Sequence, residues 1–374
     1  MKLKLVVLTL GIICASQAAA DPFNQFISFG DSSVDSGWWS GALNGQCDGA
    51  PSPCATGSTA KNTLIANAIA NGATGAPVGA GFMMNTQILA ADFGLTALPA
   101  NQPNGTNYAI SGAVDAAVAA NGNIGNLNRN TTLPSTVQQM ANYLSRPGGG
   151  GMANPQALYV ISSGGNDVTF AIDNFSTLSS RETYLANQAQ VLANAIRNLQ
   201  VTGAQHILVN GLPGGVGTLG AFYTQALFAD LSAAGVNFIG ADVQAFVQGV
   251  ENDPGRYGFT QTTVLPGVLG TGTGSACVWT PPMGSTIVSG WGQWCADTTT
   301  PSTQYAYLGS MNAEQTSFFS DDQHFSAAGQ ALEAAYDLSL ISTVPGPIAG
   351  AGLPGLILAS GGLLGWWRRR QKIA

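Results

Sequence analysis

Two short segments near opposite ends of the chain carry side chains that together can perform acyl transfer. Ser32 follows an apolar run and a glycine–aspartate turn, and a serine hydroxyl becomes a nucleophile once a base removes its proton. His324 can be that base, because its unperturbed pKa of roughly 6.5 lies close to neutral pH. Asp321, three residues earlier, can hold the other ring nitrogen and stabilise the imidazolium. This pattern predicts a serine–histidine–aspartate triad.

Two segments between these positions carry candidate donors for a developing oxyanion, which needs hydrogen bonds placed in advance. Gly112 lets its backbone approach a substrate oxygen closely because it has no Cβ. Asn166 can add its side-chain amide, and Ser32 its own backbone N–H. Singly, each residue has a structural interpretation: Gly112 as a turn glycine, Asn166 as a helix cap and Asp31 as a turn residue. Together, and in this order, they predict an acyl-transfer site.

Short apolar runs alternate with helix-length segments along the chain. The runs that predict buried strands are residues 25–29, 108–110, 157–161, 206–209 and 236–239. The amphipathic stretches that predict helices are residues 86–93, 135–144, 181–199, 219–231, 243–250 and 327–340. This alternation predicts an α/β fold with a parallel sheet of about five strands, covered on both faces. Ser32, Gly112 and Asn166 each follow a predicted strand, and active sites in such sheets lie at the carboxyl ends of the strands.

Four sequence blocks, in order and spanning nearly the whole body, resemble those of the SGNH/GDSL hydrolases. They are Phe29–Gly37 (FGDSSVDSG), Asn107–Ala113 (NYAISGA), Gly164–Asp167 (GGND) and Asp321–His324 (DDQH). The resemblance implies a flavodoxin-like three-layer α/β/α sandwich that hydrolyses esters of the lipase or esterase kind. It implies Ser32 as nucleophile, Gly112 and Asn166 with Ser32 in the oxyanion hole, and Asp321 with His324 completing the triad. No metal or organic cofactor is implied.

Three positions depart from the family pattern, namely Ser33, Ser111 and Phe325. None of them removes a catalytic atom. Ser111 and Phe325 are expected to alter the acyl pocket and therefore the substrate preference. Lipid esters, simple carboxylic esters and acetylated polysaccharide all fit the predicted chemistry.

The first twenty residues combine a basic start, a short apolar core and a small-residue exit. This is the layout of a secretory signal peptide, with cleavage predicted after Ala20. Cys14 lies inside the apolar core and would be discarded with it. Residues 21–343 then form one hydrolase domain.

Residues 344–374 combine a proline-containing motif, an apolar run from Ile348 to Trp367 and a cluster of arginines. The layout resembles the PEP-CTERM sorting signals of Gram-negative bacteria, with Gly346 at the place where glutamate is usual. It implies an exosortase-like processing enzyme as a partner and a cell-surface or extracellular location. The alternative is a plain C-terminal anchor in the inner membrane, because twenty residues can just span a hydrocarbon core of roughly 30 Å.

The formal net charge of −7 conceals a more acidic body, because both ends are basic. Residues 21–343 contain all 19 acidic residues and half of the 12 basic ones, which gives this part a net charge of −13. Such a surface is a poor match to a polyanion. The composition predicts no nucleic-acid partner, while the resemblance implies an ester substrate, small or polymeric, as the partner.

Four cysteines of the body form two local pairs, Cys47 with Cys54 and Cys277 with Cys295. In an exported protein these pairs predict disulfides. The whole chain has two histidines, which disfavours a zinc site built from the usual ligands. The second pair lies in a long glycine-, threonine- and proline-rich segment, residues 254–307, which we expect to form an ordered lid or substrate wall.

Two other classes of function compete with ester hydrolysis. Residues 215–220 read G-x-G-x-x-G, and Asp242 follows the next predicted strand, a pattern typical of NAD(P)-dependent oxidoreductases. However, these glycines do not follow their strand directly, as the tight turn at the pyrophosphate requires. A catalytically idle surface or matrix protein that binds polysaccharide is the other alternative. Its sugar-stacking side chains would be the tryptophans of the long segment, Trp279, Trp291 and Trp294.

Three further polar residues have structural interpretations. His206 opens an apolar strand with no carboxylate near it in the sequence, so we expect a structural histidine. Asp35 and Asp322 are expected to be turn residues that support the site without reacting.

Overall fold

Four parallel strands form the central sheet of the computed structural model, which describes residues 23–43, 59–116, 133–213, 217–260, 274–279 and 295–343. The strands are β1 (Gln25–Gly30), β2 (Ala157–Ser162), β3 (His206–Asn210) and β4 (Ile239–Ala241), adjacent in that order. Every residue of β2 is buried, as expected for a parallel strand covered on both faces. The chain is therefore a mixed α/β protein, as predicted.

Two of the five predicted strands, residues 108–110 and 236–239, differ from the strands of the structure. Residues 108–110 are not a strand, although Tyr108 N and Ile110 N donate to the carbonyls of Ser28 and Gly30 at 2.8 and 3.1 Å. The ladder stops there because Ala113 N turns back to Ile110 O at 2.9 Å. The isolated parallel bridge on this edge of β1 lies one residue earlier, between Ser28 and Asn107.

The last predicted strand is shifted along the chain. β4 begins at Ile239, whereas residues 236–239 were predicted. Val236 N donates to Leu231 O at 3.0 Å, in the turn that ends the preceding helix. That hydrogen bond keeps Val236 in the turn and delays the start of the strand.

Helices cover both faces of the sheet, and all six predicted helices are present. One face is covered by α4 (Thr136–Ser145), α5 (Gly165–Asn174), α6 (Leu178–Val201) and α7 (Gly217–Ala233). The other is covered by α3 (Asn85–Asp92), α8 (Val243–Asn252) and α10 (Ala327–Thr343). Three further helices lie in connecting segments: α1 (Trp38–Leu43), α2 (Thr59–Ala70) and α9 (Ala313–Thr316). The sequence patterns did not predict α1, α2, α5 or α9.

Polar side chains determine where several helices begin. The Ser135 hydroxyl accepts from Gln138 N at 3.2 Å before α4, and the Asp242 carboxylate accepts from Ala245 N at 2.9 Å before α8. Such caps satisfy backbone N–H groups that have no partner inside the helix, and each is worth about 1 kcal/mol.

A second, small sheet lies within the segment predicted to be a lid or wall. It consists of β5 (Cys277–Val278), β6 (Cys295–Ala296) and β7 (Ala306–Leu308), with β7 in the middle. Cys277 and Cys295 form a disulfide with their Cα atoms 5.9 Å apart, so this predicted bond is confirmed. It joins the two outer strands to each other across β7.

Several predictions fall outside the described residues. They concern the signal peptide, the C-terminal tail, the Cys47–Cys54 bond, Gly215, Trp291 and Trp294. Within the described ranges, none of the helices combines the length and apolar character needed to cross a membrane.

Candidate active site

The end of β1 presents Ser32 on a tight turn. Asp31 N donates to Ser162 O at the end of β2 (3.1 Å), and the Asp31 carboxylate accepts from Ser33 N at 2.9 Å. The turn thus closes around Ser32, whose side chain is half-buried while Asp31 is buried. Ser32 therefore lies at the carboxyl edge of the sheet, as the sequence predicted.

Gly30 allows this turn to lie so close to β2. Its φ is +146°, and a Cβ built there would lie 1.8 Å from Ser162 O, so no larger residue fits without moving the backbone. The buried Gln139 amide accepts from Gly30 N at 2.8 Å and donates to Gly30 O at 2.9 Å. These contacts set the direction in which the chain leaves the strand.

Asp35 joins the nucleophile turn to the segment that contains Gly112. One carboxylate oxygen accepts from Gly37 N and Trp38 N, each at 2.8 Å, and the other accepts from Ser111 N at 2.8 Å and Ser111 Oγ at 2.6 Å. Burial raises the pKa of Asp35 in spite of these hydrogen bonds. Asp35 is thus more than the turn residue that the sequence predicted.

Gly112 and Asn166, the two predicted oxyanion donors, belong to adjoining segments. Gly112 has φ +97°, a conformation that favours glycine, and the nearest atom to a Cβ there would be in Leu133, 3.6 Å away. Asn166 Nδ2 donates to Ala113 O at 2.7 Å. Since an amide nitrogen carries two hydrogens, the second remains for another acceptor. The helix cap is Gly164 rather than Asn166, so the interpretation of Asn166 as a helix cap was wrong.

The start of α5 also lies against the nucleophile turn. A Cβ built at Gly165 would lie 3.5 Å from the Asp31 carboxylate. The segments of Ser32, Gly112 and Asn166 therefore meet at one edge of the sheet.

Behind the oxyanion segments lies a buried acidic network that the sequence analysis missed. Asp115 N donates to one oxygen of Asp167 at 2.9 Å, and Tyr184 OH donates to the other at 2.9 Å. Tyr223 OH donates to Asp115. Burial, followed by the charge of Asp167, raises the pKa of Asp115 well above its ordinary value. The network connects the residues just after Gly112 to the residue just after Asn166.

His324 and Asp321 form a buried pair. The Nδ1 atom of His324 lies 2.7 Å from Asp321 Oδ2, while Asp321 Oδ1 accepts from the backbone nitrogens of Gln323 (2.8 Å) and His324 (2.7 Å). Burial by itself lowers the pKa of His324, but the Asp321 carboxylate, helped by Asp322 and Asp31, outweighs it and raises the pKa. The charge of Asp31, on the turn that carries Ser32, thus acts on the His324 imidazole.

Phe325 and Ser111, which depart from the SGNH/GDSL pattern and were expected to alter the acyl pocket, are buried side chains. Phe325 is 6% exposed and packs on Phe318 with ring centroids 4.9 Å apart. Ser111 is 1% exposed and is bound to Asp35. Both side chains are therefore buried in the supporting structure, and their effect on the acyl pocket stays a prediction.

Residues on which the competing hypotheses depend are buried in the fold or cap a helix. Asp242 caps α8, and Trp279 is 2% exposed, so Trp279 offers no open face for a sugar. His206 is half-buried and meets Phe23 edge-on, with ring centroids 5.2 Å apart. Burial lowers its pKa, which fits the structural role that the sequence predicted.

One group of side chains in the described ranges has metal-ligand spacing. It consists of Cys277, Cys295 and Glu314, whose ligand atoms lie within 4.8 Å of one another. The two sulfurs are joined in the disulfide, which leaves a single carboxylate as a ligand. This arrangement does not fit a metal ion.

Comparison with known proteins adds no family to this description. The chain matches no protein-family model and no curated protein. Its function is therefore argued from the residues and contacts described above.

Proposed function

We propose that the chain is a serine ester hydrolase of the SGNH/GDSL kind, acting through an acyl-enzyme on Ser32. The observation that carries the proposal is the buried Asp321–His324 pair with a raised imidazole pKa. A carboxylate at Nδ1 fixes the tautomer that leaves Nε2 free to accept a proton. This is the arrangement of a general base, and a structural histidine does not require it.

In the proposed reaction the Ser32 hydroxyl attacks the ester carbonyl carbon while His324 takes the hydroxyl proton. The carbonyl oxygen becomes an oxyanion, held by the N–H groups of Ser32, Gly112 and Asn166. When the tetrahedral intermediate collapses, the alcohol leaves with the proton from His324. Water, deprotonated by the same imidazole, then attacks the acyl-serine and releases the carboxylic acid.

The order of the strands supports the finer assignment of the fold. Counting the segment after Asn107, which lies on the free edge of β1, as the second strand gives the order 2-1-3-4-5 of flavodoxin-like folds. In such folds ligands bind outside the carboxyl ends of the strands, where the order reverses at strand 1. Ser32 and Asn166 follow the two strands on either side of that point.

We also propose that the hydrolase works outside the cytoplasm. The Cys277–Cys295 disulfide supports this location, since such bonds persist in oxidising compartments. Removal of the signal peptide and processing of the tail by an exosortase-like enzyme stay predictions from the sequence. Intact-mass measurement of the exported protein tests both, through the masses expected for cleavage after Ala20 and near the motif at 344–347.

The test of the activity uses the full chain, exported so that its disulfides form, and p-nitrophenyl esters from acetyl to palmitoyl. We expect Ser32→Ala and His324→Ala to lower kcat by at least about 10⁴-fold. Ser33→Ala is the matched control, because it removes the neighbouring hydroxyl and keeps the backbone N–H that Asp31 binds. Full turnover by Ser32→Ala would refute the mechanism.

A fluorophosphonate probe separates an idle fold from an enzyme with an untried substrate. Covalent labelling of Ser32, located by peptide mass spectrometry, supports an activated nucleophile even where no nitrophenyl ester is cleaved. No label in a folded protein favours the polysaccharide-binding alternative. The preferred acyl length distinguishes an acetylesterase from a lipase.

A further inference from the structure

Glu314 is a buried carboxylate that belongs to none of the sequence motifs. It lies in the four-residue helix α9 and is 1% exposed. One carboxylate oxygen accepts from Ser320 Oγ at 3.0 Å, and the other accepts from Ala327 N at 2.6 Å. The side chain thus binds two positions that are seven residues apart in the chain.

These two positions enclose the acid–base loop, which we define as residues 320–327. Ser320 directly precedes Asp321, and Ala327 follows His324 by three residues and begins α10. Ser320 N also donates to His324 O at 2.7 Å. A displacement of either end therefore changes the relative position of the carboxylate and the imidazole.

Glu314 also contacts two segments outside the loop. Its Oε1 lies 3.3 Å from the Cys277 sulfur, and a Cβ built at Gly79 would lie 2.4 Å from its carboxyl carbon. The backbone of Gly79 hydrogen-bonds to it as well. Cys277 N in turn donates to Ser320 O at 2.9 Å. The loop is thus connected through Glu314 to the disulfide-linked sheet and to the segment before α3.

Burying a carboxylate is costly unless hydrogen bonds compensate for lost water. Hydrogen bonds from Ser320 Oγ, Ala327 N and the Gly79 backbone provide this compensation for Glu314. Burial raises its pKa to about 7, and Asp321 adds to the rise. Glutamine in its place has one acceptor oxygen instead of two. It can accept from Ala327 or from Ser320 but not from both, and its amide nitrogen keeps the second contact only if the Ser320 hydroxyl reverses to become the acceptor.

We propose that Glu314 is a positioning residue for the acid–base loop, whose carboxylate holds Ser320 and Ala327 and thereby keeps Asp321 against His324. As far as catalysis is concerned, this inference rests on the proposed ester hydrolysis. Glu314 itself touches neither reacting atoms nor substrate in that scheme. Its role is to maintain the 2.7 Å contact between Nδ1 and the carboxylate.

Proton NMR of the full chain detects the hydrogen bond between His324 Nδ1 and the Asp321 carboxylate directly. The chain has two histidines, and a ring N–H bound to a buried carboxylate resonates downfield of the amide protons. Assignment uses His206→Gln and His324→Gln. We expect the His324 resonance in the wild type and its broadening or loss, through faster exchange with water, in Glu314→Gln. Ser320→Ala, which removes one of the two hydrogen bonds, should have an intermediate effect.

Glu333→Gln is the matched control. Glu333 is also a buried glutamate with a raised pKa, but it hydrogen-bonds to Asn85 and Asn210 rather than to the loop. The His324 resonance should persist in Glu333→Gln. Equal loss in both variants, at matched thermal stability, would assign Glu314 to general stability and overturn the proposal. A sharp resonance retained in Glu314→Gln would also overturn it.

Kinetics give a second readout that depends on the enzymatic activity. We expect Glu314→Gln to lower kcat about 100-fold with little change in KM, the loss typical of a misplaced catalytic group. Glu333→Gln should stay within threefold of the wild type. If the wild type shows neither serine-dependent turnover nor fluorophosphonate labelling of Ser32, the proposed function fails, while the NMR comparison still decides whether Glu314 holds the pair.

Discussion

The two halves of the candidate site are supported in different ways. Ser32, Gly112 and Asn166 lie at the carboxyl edge of the parallel sheet. A backbone hydrogen bond to Ser162 positions the segment of Ser32, and those to Ser28 and Gly30 position the segment of Gly112. Asp321 and His324 lie on the acid–base loop, which is held by the Glu314 side chain and by the backbone of Cys277. The first half is thus tied to the central sheet, and the second to the Glu314 side chain and to the disulfide-linked small sheet.

This difference determines what each half tolerates. A strand end is positioned by many backbone hydrogen bonds, so the loss of one side chain at its surface changes its geometry little. The acid–base loop depends on a few buried polar contacts, and the loss of one partner leaves the other buried without a hydrogen bond. We therefore expect single substitutions around the loop to reduce activity more than equally buried substitutions around the sheet edge.

The largest effect should come from Asp321→Asn. The amide cannot hold the productive tautomer of His324, so kcat should fall about 10⁴-fold while the thermal midpoint changes little. Steady-state hydrolysis of the preferred nitrophenyl ester measures this loss. Asp322→Asn is the control, because Asp322 influences the His324 pKa without the direct contact, and it should lower kcat less than tenfold. Equal effects of the two substitutions would show that the charge of the loop, rather than the contact, supports His324.

The next largest effect should come from removal of the disulfide in Cys277→Ser/Cys295→Ser. A cross-link between residues 18 apart contributes about 3 kcal/mol to the free energy of unfolding. We expect a lower thermal midpoint and faster amide hydrogen exchange in the acid–base loop, residues 320–327, with β1 and β2 still protected. Cys47→Ser/Cys54→Ser should leave exchange in that loop unchanged. Uniform acceleration across β1, β2 and the loop would contradict the separation of the two halves.

The pH dependence of stability should also reflect the buried acids. Burial raises the pKa of Glu314 and of Asp337 to about 7, from ordinary values of 4.5 and 3.8. The native state then keeps protons that the unfolded chain releases, so the free energy of unfolding decreases as pH rises from about 4 through 7. Thermal midpoints should be higher at pH 5 than at pH 8, and Asp337→Asn should flatten the slope. An equal or higher midpoint at pH 8 would contradict these protonation states.

Activity should follow the opposite trend, because His324 must be neutral to accept the serine proton. Its raised pKa predicts that kcat/KM increases with pH up to a value above the ordinary 6.5. The profile of kcat/KM against pH measures this value. If activity increases between pH 5 and 8 while stability decreases, the change in activity comes from titration of His324 and not from partial unfolding.

The smallest effect should come from Ser111→Gly at the sheet edge. It removes one of the four hydrogen bonds to Asp35, which is worth about 1 kcal/mol. The thermal midpoint should fall by roughly 2–4 °C, and kcat should stay within threefold because the backbone N–H of residue 111 still binds Asp35. A large loss of kcat would mean that the sheet-edge half depends on single side chains as much as the loop does.

Local patterns were sufficient for much of the framework. Period and length predicted all six helices that were proposed, and continuous apolar runs predicted β1, β2 and β3. They failed for residues 108–110 and 236–239, where hydrogen bonds to Ile110 O and Leu231 O compete with the ladder. They also missed α5, which begins at Gly165, shortly after β2 ends. The ends of strands and helices depend on such competing hydrogen bonds, which the spacing of apolar residues does not reveal.

The sequence by itself determined the residue types that can react, their order behind successive strands, and the local Cys277–Cys295 pair. These are properties of short segments, whose chemistry and spacing can be read without knowing what they contact. Tertiary structure alone decided that Asp35 binds Ser111, that Asp115 meets Asp167 and Tyr223, and that Glu314 joins both ends of the acid–base loop. Each of these contacts links residues far apart in the chain or buries a charge. Their energies therefore depend on packing that no local pattern encodes.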